Sequence, residues 1–344
     1  MKSRVLRDFF IEPMTKYQEI IQALETAENI VITAHKSPDG DSIGSSLALY
    51  HYLKWKNKKV QICHPDAYPN FLSWLPDVNQ VLNFEDNQEQ IEHAISKADI
   101  IFALDYNHPS RLGDAMSPLL ESKREKTIMI DHHLNPADFA FISVSETSVC
   151  STAQLIYELI VSDSKGLINE TMGIPIYLGI MTDTGSFRFN SVTPRTHEVL
   201  AHLLESGVNH TAIHEAVFGQ NSLNQLRLRS YAICNKLDII ENGKVAIMSL
   251  SEAELEEYHY EKGDTEGLVN VALSVTGVKM AVYLQEKDGK VKISFRSKED
   301  QSVNQLAADH FEGGGHAYAS GGINFDTLEA TIDKLKKVVH AYVI

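Results

Sequence analysis

Short apolar runs alternate with helix-like segments along the first half of the chain. Runs rich in β-branched and apolar residues predict buried strands, at residues 29–34, 59–63, 99–104 and 127–130. Apolar positions spaced three and four residues apart predict helices, at residues 42–54, 151–160 and 174–181. Because continuous apolar strands that alternate with helices are typical of parallel sheets, we expect an α/β fold with helices on both faces of the sheet.

A different pattern begins near residue 231. Residues 196–230 are polar and helix-compatible, which indicates the last helices of a first domain and a connector. Further strands are predicted after them, at residues 245–250, 280–284 and 291–295. The sequence KDGK at 287–290 predicts a hairpin turn. The expected organisation is a first domain at 1–205, a helical connector at 206–230 and a smaller α/β domain at 231–344.

Polar residues that carry chemistry follow the predicted strands. His35 follows the first strand, Asp105 follows the third, and Asp131 follows the fourth. Each alone is compatible with a turn or a helix cap. In open α/β sheets, however, ligands bind outside the carboxyl ends of the strands. We therefore expect these distant residues to lie together at one edge of the sheet.

The segment HKSPDGDSIGS places an imidazole and two carboxylates between a strand and a helix. These groups belong to His35, Asp39 and Asp41. Imidazole and carboxylate ligands suit Mn²⁺, Mg²⁺ or Zn²⁺. The alternative is that Asp41 or Ser42 only caps the helix that follows.

Two later segments offer similar groups. Asp131, His132 and His133 follow the strand TIMI, so that one imidazole could bind a metal while the other orients or contacts the substrate. Asp131 could accept a hydrogen bond from the metal-bound histidine. The string TDTGSFR adds the carboxylate of Asp183 and the guanidinium of Arg188, which can hold a phosphate in a bidentate way.

The second domain carries a glycine-rich segment with a histidine, and an arginine at a strand end. Consecutive glycines let backbone N–H groups approach an anion closely. We expect this domain to hold the substrate through Arg296, Gly313, Gly314, Gly315, His316 and Ser320.

Composition limits the classes of partner. The chain has 344 residues and a formal charge of −15, which argues against coating long nucleic acid. A small phosphorylated substrate fits, because a bound divalent metal can reverse the local charge. No apolar run reaches the roughly 18–20 residues of a membrane span, and no secretory signal pattern begins the chain. Three widely spaced cysteines fit a reducing compartment, so we expect a cytoplasmic protein without a membrane partner.

The strand-end residues together supply enough donors for two divalent ions, with Asp105 as the bridge. The predicted donor set is His35, Asp39, Asp41, Asp105, His132, His133 and Asp183. A pair of neighbouring ions is a standard arrangement for phosphoester hydrolysis. Arg188, Arg296 and the glycines would add electrostatic stabilisation and place the substrate.

Five strings, in this order, carry a resemblance to a known family: HKSPDGDSIGS, LDYNHPSRLG, IDHHL, MTDTGSFRF and EGGGHAYASGG. They resemble the DHH phosphoesterase family with its DHH-associated C-terminal domain. Within that RecJ-like superfamily, the chain is most similar to compact bacterial nanoRNases that also act as pAp phosphatases. The resemblance covers nearly the whole chain. It implies a domain that holds two Mn²⁺ ions, with Mg²⁺ or Co²⁺ as alternatives, and a smaller domain that grips the substrate.

The resemblance also implies roles for individual residues. One ion would be held by His35, Asp39 and Asp105, and the other by Asp41, Asp105, His132 and Asp183. The family would place His133 near the metals or the scissile phosphate, and it leaves open which histidine of the pair is the direct ligand. Arg188 would meet the attacked phosphate, and Arg296 with the GGGH segment would bind the substrate's terminal phosphate or base.

The expected activity is metal-dependent hydrolysis of short oligonucleotides to nucleoside 5′-monophosphates, together with dephosphorylation of pAp to AMP. A second enzymatic interpretation is a phosphodiesterase for cyclic di-AMP or pApA. An interpretation from another class is a nucleotide-sensing module without turnover. The partner in each case is a short oligonucleotide or a small nucleotide, and family analogy is compatible with a homodimer. The GGGH segment argues against the inorganic pyrophosphatases of this superfamily, which carry a different C-terminal domain.

Overall fold

The computed structural model describes residues 15–164, 166–298 and 301–343. These residues divide into two units. The first unit contains the described residues up to Tyr68 together with Leu72–Ile213. The second contains Pro69–Phe71 and the described residues from His214 onward. The domain boundaries suggested by the sequence, after residues 205 and 230, stay a prediction.

A six-stranded sheet forms the centre of the first unit. Its strands are β1 (Asn29–Ala34), β2 (Lys59–His64), β3 (Val81–Asn83), β4 (Ile100–Leu104), β5 (Thr127–Asp131) and β6 (Ile142–Ser145). They lie in the order β3-β2-β1-β4-β5-β6, and every neighbouring pair is parallel. The α/β class and the parallel sheet expected from the apolar runs are confirmed.

Helices lie on both faces of this sheet, and others pack against those helices. The helices of this part of the chain are α1 (Lys16–Thr26), α2 (Gly40–Trp55), α3 (Phe84–Lys97), α4 (Gly113–Met116), α5 (Thr152–Asp163), α6 (Glu170–Asp183), α7 (Pro194–Glu205) and α8 (His210–Phe218), the last of which crosses the division between the units. On one face, Val31 of β1 shares an apolar cluster with Ile91 of α3 and Met116 of α4. Its neighbour Ile32 points to the opposite face and is also fully buried. Helices α2 and α5 pack against β1 and β5.

Glycines bring α2 and α6 into close contact. A Cβ atom on Gly44 would overlap the carbonyl oxygen of Pro175, and one on Gly179 would lie 2.7 Å from Oδ1 of Asp41. Only glycine lets two helix backbones approach this closely. As a result, the end of α6 at Asp183 lies beside the start of α2.

The second unit contains another six-stranded sheet. Its strands are β7 (Leu237–Ile240), β8 (Val245–Leu250), β9 (Met280–Lys287), β10 (Lys290–Ser297), β11 (Gly314–His316) and β12 (Ala319–Asn324). They lie in the order β11-β12-β10-β9-β8-β7. Only β8 and β9 pair in parallel among them. Lys287 pairs with Lys290, which confirms the predicted hairpin.

Five helices accompany this sheet in the described part of the chain: α9 (Leu223–Asn235), α10 (Glu252–Glu257), α11 (Leu268–Leu273), α12 (Asn304–His310) and α13 (Leu328–Val338). Phe295 of β10 clusters with Leu335 of α13 on one face of the sheet. Tyr283 of β9 clusters with Leu228 of α9 and Leu268 of α11 on the other. Among the described helices, none is long and apolar enough to cross a membrane.

The sequence pattern did not predict five short strands of the structure: β3, β6, β7, β11 and β12. Because β3 lies between the predicted strands, Asp105 follows the fourth strand, not the third, and Asp131 ends the fifth, not the fourth. The glycine segment is also not a loop, since Gly314–His316 forms the edge strand β11 and pairs with β12. Glycine is depleted in strands, so the sequence pattern gave no signal for a strand here.

Candidate metal centre

The strand order places the site residues at a reversal in the sheet. From β1 the chain continues to β2 and β3 on one side, and β4, β5 and β6 lie on the other. A crevice forms outside the carboxyl ends of strands at such a switch point. His35 directly follows β1, and Asp105 directly follows the adjacent β4. The predicted convergence of these two residues is therefore observed.

One group of possible ligands consists of His35, Asp39 and Asp105. Nε2 of His35 lies 3.3 Å from Oδ2 of Asp105 and 3.6 Å from Oδ2 of Asp39. Nδ1 of the same ring donates to the carbonyl oxygen of Lys36 at 2.9 Å, so the ring presents Nε2 to the carboxylates. Burial opposes a charge on His35, but Asp39 and Asp105 outweigh it and raise the pKa of the imidazole well above its usual value.

Asp39 is also the N-cap of α2. Its Oδ1 accepts the backbone N–H groups of Asp41 and Ser42, at 3.1 and 3.0 Å. The other oxygen, Oδ2, remains directed toward His35. The sequence suggested Asp41 or Ser42 as the cap, but Asp39 has this role. Asp39 can both cap the helix and bind a metal ion, because Oδ1 accepts the N–H groups and Oδ2 faces the candidate ion position.

Asp41 is held at the start of α5. Its Oδ2 accepts the backbone N–H of Thr152 at 2.7 Å, and its Oδ1 accepts that of Ala153 at 2.9 Å. A helix N-terminus favours an anion at this place. Even so, burial and the neighbouring charges of Asp105 and Asp183 raise the pKa of Asp41 well above its usual value. The site therefore holds more negative charge than its own groups neutralise.

His132 connects the second group of possible ligands, which contains Asp41 and Asp183. Its Nε2 lies 3.4 Å from Oδ2 of Asp183, 3.6 Å from Oδ1 of Asp105 and 3.9 Å from Oδ2 of Asp41. Its Nδ1 donates to the carbonyl oxygen of Val149 at 3.2 Å. As with His35, a backbone acceptor fixes the ring so that Nε2 faces the carboxylates.

His133 is oriented differently. Its Nδ1 lies 2.7 Å from Oδ1 of Asp131, and its backbone N–H donates to Oδ2 of the same carboxylate at 3.1 Å. Asp131 therefore orients His133, whereas the sequence suggested it as the acceptor for the metal-bound histidine. Nδ1 of His133 also lies 3.8 Å from Oδ1 of Asp105, which keeps the ring beside the cluster.

Asp105 belongs to the group with His35 and Asp39 and also to a third group, with His132 and His133. Its backbone φ is +62°, a left-handed conformation that aspartate tolerates better than most side chains. Its Oδ1 accepts the hydroxyl of Thr152 at 2.9 Å. Burial disfavours the charged carboxylate, but the hydrogen bond from His35 and the charges of the nearby histidines hold its pKa far below the usual value.

This arrangement fits divalent cations. Three sets of ligand atoms each lie within 4.8 Å of one another, and all of them consist of carboxylate oxygens and imidazole nitrogens. Like charges gathered this closely repel each other unless a cation neutralises them. Carboxylate and imidazole donors are suited to Mn²⁺ and similar ions. Because Asp105 belongs to two of the three sets, the chemistry of the donors allows a shared position between two ions.

Arg188 lies in the segment that follows α6. Its side chain is exposed, and Nε donates to the carbonyl oxygen of Gly185 at 2.6 Å. The three preceding residues, Gly185, Ser186 and Phe187, all have left-handed backbone conformations. The predicted contact of Arg188 with the attacked phosphate stays a prediction.

The predicted substrate residues of the second unit lie on β10, β11 and β12 or next to them. Arg296 lines a cavity of about 110 Å³ together with Lys292 and Gln285, and its Nη1 donates to the carbonyl oxygen of Phe295. Ser320 is 4% exposed and pairs with Gly315 across the sheet. The side chain of His316 lies outside the described part of the chain, and the roles of these residues stay a prediction.

The sequence analysis did not single out two buried residues at the carboxyl end of β2. His64 ends the strand, and Asp66 accepts the backbone N–H of Ser37, within the loop that carries His35 and Asp39. The available signal was the string HPD at a strand's carboxyl end, the same signal that identified the other site residues. Thr152 was missed because a threonine at a helix start ordinarily indicates only a cap.

A parallel sheet with a carboxylate–histidine cluster at its switch point defines an α/β protein with a candidate metal centre. Comparison with known proteins identifies the kind: the chain belongs to the DHH family. Residues 29–182 match the DHH family N-terminal domain, and residues 242–343 match the DHHA1 domain. The DHH domain match begins at β1 and ends one residue before Asp183, so it covers the other residues of the cluster.

Relatives of similar length match nearly the whole chain. The bifunctional oligoribonuclease and PAP phosphatase NrnA of Thermus thermophilus is 30% identical, over 95% of this chain and 95% of the relative. An exopolyphosphatase-related protein from Bacteroides fragilis has a solved structure that superposes with a TM-score of 0.90. It is 37% identical, and the match covers 95% of this chain and 96% of that one.

Two more distant relatives also match most of this chain. The cyclic-di-AMP phosphodiesterase GdpP of Bacillus subtilis is 26% identical over 92% of this chain, but the match covers only 48% of GdpP. RecJ from Thermus thermophilus, crystallised with Mn²⁺, superposes with a TM-score of 0.55 at 15% identity. The match covers 96% of this chain and 55% of RecJ, and at this identity it shows a shared fold.

Proposed function

We propose that this protein hydrolyses short oligonucleotides to nucleoside 5′-monophosphates and dephosphorylates pAp, using two divalent ions. The observation that carries the proposal is Asp105, whose carboxylate belongs to two ligand groups at the switch point of the sheet. The Thermus thermophilus relative, which matches 95% of the chain, supports this choice of substrates.

The proposed ligands divide between two positions. His35, Asp39 and Asp105 would hold one ion, and Asp41, Asp105, His132 and Asp183 the other. When bound, the ions would stabilise negative charge on the attacked phosphate and favour ionisation of the attacking water. Mn²⁺ is the proposed ion, because imidazole and carboxylate donors suit it and because RecJ, which shares the fold, was crystallised with it.

His132 is the proposed direct ligand, and His133 the proposed neighbour of the scissile phosphate. Nε2 of His132 faces three carboxylates, while Nδ1 of His133 is engaged by Asp131. In this proposal Nε2 of His133 is the ring atom that meets a substrate oxygen. Asp131 would then fix the ring's tautomer and orientation, in the way that a buried carboxylate orients a catalytic imidazole.

The second unit would bind the rest of the substrate. Lys292 and Arg296 line the same cavity of about 110 Å³, and their positive charges would attract a phosphate of the substrate. The net charge of −15 argues against binding long nucleic acid, which supports substrates of a few nucleotides. All three cysteines are free thiols, which agrees with the proposed cytoplasmic location.

A hydrolysis assay tests the proposal. The chelator-treated protein is mixed with Mn²⁺ and with pAp or a graded series of 5′-phosphorylated RNA lengths, and the mononucleotides are quantified. We expect the shortest RNAs and pAp to be consumed fastest and the rate to fall with length. A preference for long single strands would contradict the proposal, and so would the absence of turnover in the presence of bound Mn²⁺.

The similarity to GdpP over 92% of this chain supports a second candidate, a phosphodiesterase for cyclic di-AMP or its linear product pApA. The chain spans about half the length of GdpP, so the activity of the whole relative carries over less directly. Including cyclic di-AMP and pApA in the same assay separates the candidates. Cyclic di-AMP hydrolysis that exceeds pAp and short-RNA hydrolysis would favour the second.

A further inference from the structure

Two buried polar side chains lie at the carboxyl end of β2, beside the metal centre but outside its ligand groups. His64 is 0% exposed and Asp66 is 9% exposed. Burying a polar group costs free energy unless the group forms hydrogen bonds inside the protein. Both residues form such bonds with the segment that carries the first ion's proposed ligands.

Asp66 holds the loop between His35 and Asp39. Its Oδ1 accepts the backbone N–H of Ser37 at 2.7 Å, which is a short bond to a charged acceptor. Ser37 has a φ of +59°, a left-handed conformation that is unfavourable for serine and needs support from its surroundings. The carboxylate supplies this support at the midpoint of the loop.

His64 holds the first turns of α2. Its Nε2 lies 3.0 Å from the hydroxyl of Ser46, and that hydroxyl donates to the carbonyl oxygen of Ser42 at 2.7 Å. Because the single hydroxyl proton of Ser46 is donated to Ser42, Nε2 of His64 must be the donor in the bond between His64 and Ser46. Burial lowers the pKa of His64 to about 3, which keeps the ring neutral. Ser42 in turn closes the capping box with Asp39, whose backbone N–H donates to the Ser42 hydroxyl at 2.8 Å.

We propose that the end of β2 is a positioning element for the metal centre. Asp66 fixes the loop through Ser37, and His64 fixes the start of α2 through Ser46, so that His35 and Asp39 keep the spacing that an ion requires. Partners behind the ligands that fix their orientation commonly control metal affinity. The inference rests on the proposed function only in taking His35 and Asp39 as ligands.

Calorimetric titration of the metal-free full chain with Mn²⁺ tests this role. We expect D66A to weaken binding at one of the two positions by about tenfold, because the loop loses a charge-assisted bond. D66N should stay close to wild type, since its amide oxygen can accept the same N–H. Raising the Mn²⁺ concentration should restore the turnover of D66A, which a loss of catalytic groups would not allow.

Asp99 provides a matched control. Its Oδ2 accepts the backbone N–H groups of Glu28 and Asn29, at 3.0 and 2.8 Å, at the opposite end of β1. D99A removes bonds of the same kind far from the ligands, so it should lower the thermal unfolding midpoint and leave Mn²⁺ affinity unchanged. Equal losses of affinity in D66A and D99A would overturn the positioning role, because general destabilisation would then account for both.

His64 gives an independent test in case D66A does not fold. H64Q keeps a neutral donor near Ser46, whereas H64L removes it. We expect H64L to bind Mn²⁺ several-fold more weakly than H64Q, and equal affinities would overturn the inference. Wild-type protein that binds no Mn²⁺ would instead contradict the proposed function, so the two failures are distinguishable.

Discussion

Replacing Asp105 with asparagine removes one charge from the centre of the site and little else. Asparagine tolerates the left-handed backbone at this position, where φ is +62°. Its amide oxygen can still accept the hydroxyl of Thr152, which donates to Oδ1 at 2.9 Å. The variant should therefore fold. Any loss of activity then reports the carboxylate charge.

The size of the expected effect follows from the position of Asp105. It lies 3.3 Å from His35 and 3.6 Å from His132, and it belongs to two ligand groups. Removing a single electrostatic contact to the reacting centre costs about 100-fold or more in turnover. We expect D105N to lower kcat/KM by at least about 100-fold, which corresponds to about 2.7 kcal/mol. Mn²⁺ affinity should fall as well.

The assay compares wild type, D105N and T152V on pAp and on a short RNA, with Mn²⁺ binding measured in parallel. Thr152→Val is the matched control, because it removes the hydroxyl bond to Asp105 and keeps the charge. It should cost about 1 kcal/mol of stability and much less activity than D105N. D105N that retains more than about a tenth of wild-type kcat/KM would refute the shared-ligand role, since that loss is below about 1.4 kcal/mol.

Further predictions concern packing, pH and metal removal. Gly179→Ala should destabilise the protein by about 1–3 kcal/mol and weaken Mn²⁺ binding, because the new Cβ would lie 2.5 Å from Ala153 and 2.7 Å from Asp41. Denaturant unfolding and metal titration check this, and unchanged values would contradict it. Burial opposes ionisation of Glu254, but hydrogen bonds, first that from Lys236, lower its pKa to about 2. Its stabilising contribution should therefore be complete above about pH 4.5 and disappear as pH falls toward 2. E254Q should have a lower free energy of unfolding than wild type at neutral pH, and the difference between the two should become smaller in acid. A difference that does not change with pH would contradict the lowered pKa of Glu254. Finally, Mn²⁺ should stabilise the chelated protein and so raise its unfolding midpoint. At a Mn²⁺ concentration of 100 times Kd, the free energy of unfolding should increase by about 2.7 kcal/mol, and the increase should be smaller in D105N.

The sequence identified the convergence of the site because strand ends are visible in its pattern. His35 and Asp105 each follow a continuous apolar run, and parallel strands bring their carboxyl ends to one edge. The unpredicted strand β3 does not change this convergence, because it lies on the far side of β2 and leaves β1 and β4 adjacent.

Other features depend on contacts that no local pattern contains. Asp41 accepts N–H groups from α5, more than a hundred residues away, and only the packed fold shows this. The different surroundings of His132 and His133 likewise come from Val149 and Asp131, so the adjacent histidines could not be distinguished from the sequence. The glycine segment became an edge strand because its partner β12 overrides weak local propensity.

The most direct test of the central claim is to count the Mn²⁺ ions that turnover requires. Chelated protein is titrated with Mn²⁺, bound ions are counted by electron paramagnetic resonance, and pAp hydrolysis is followed on the same samples. We predict two ions per chain, with spectra that show magnetic coupling between them and turnover that rises with the second equivalent. Full turnover with a single bound ion, or in the presence of excess chelator, would contradict the account.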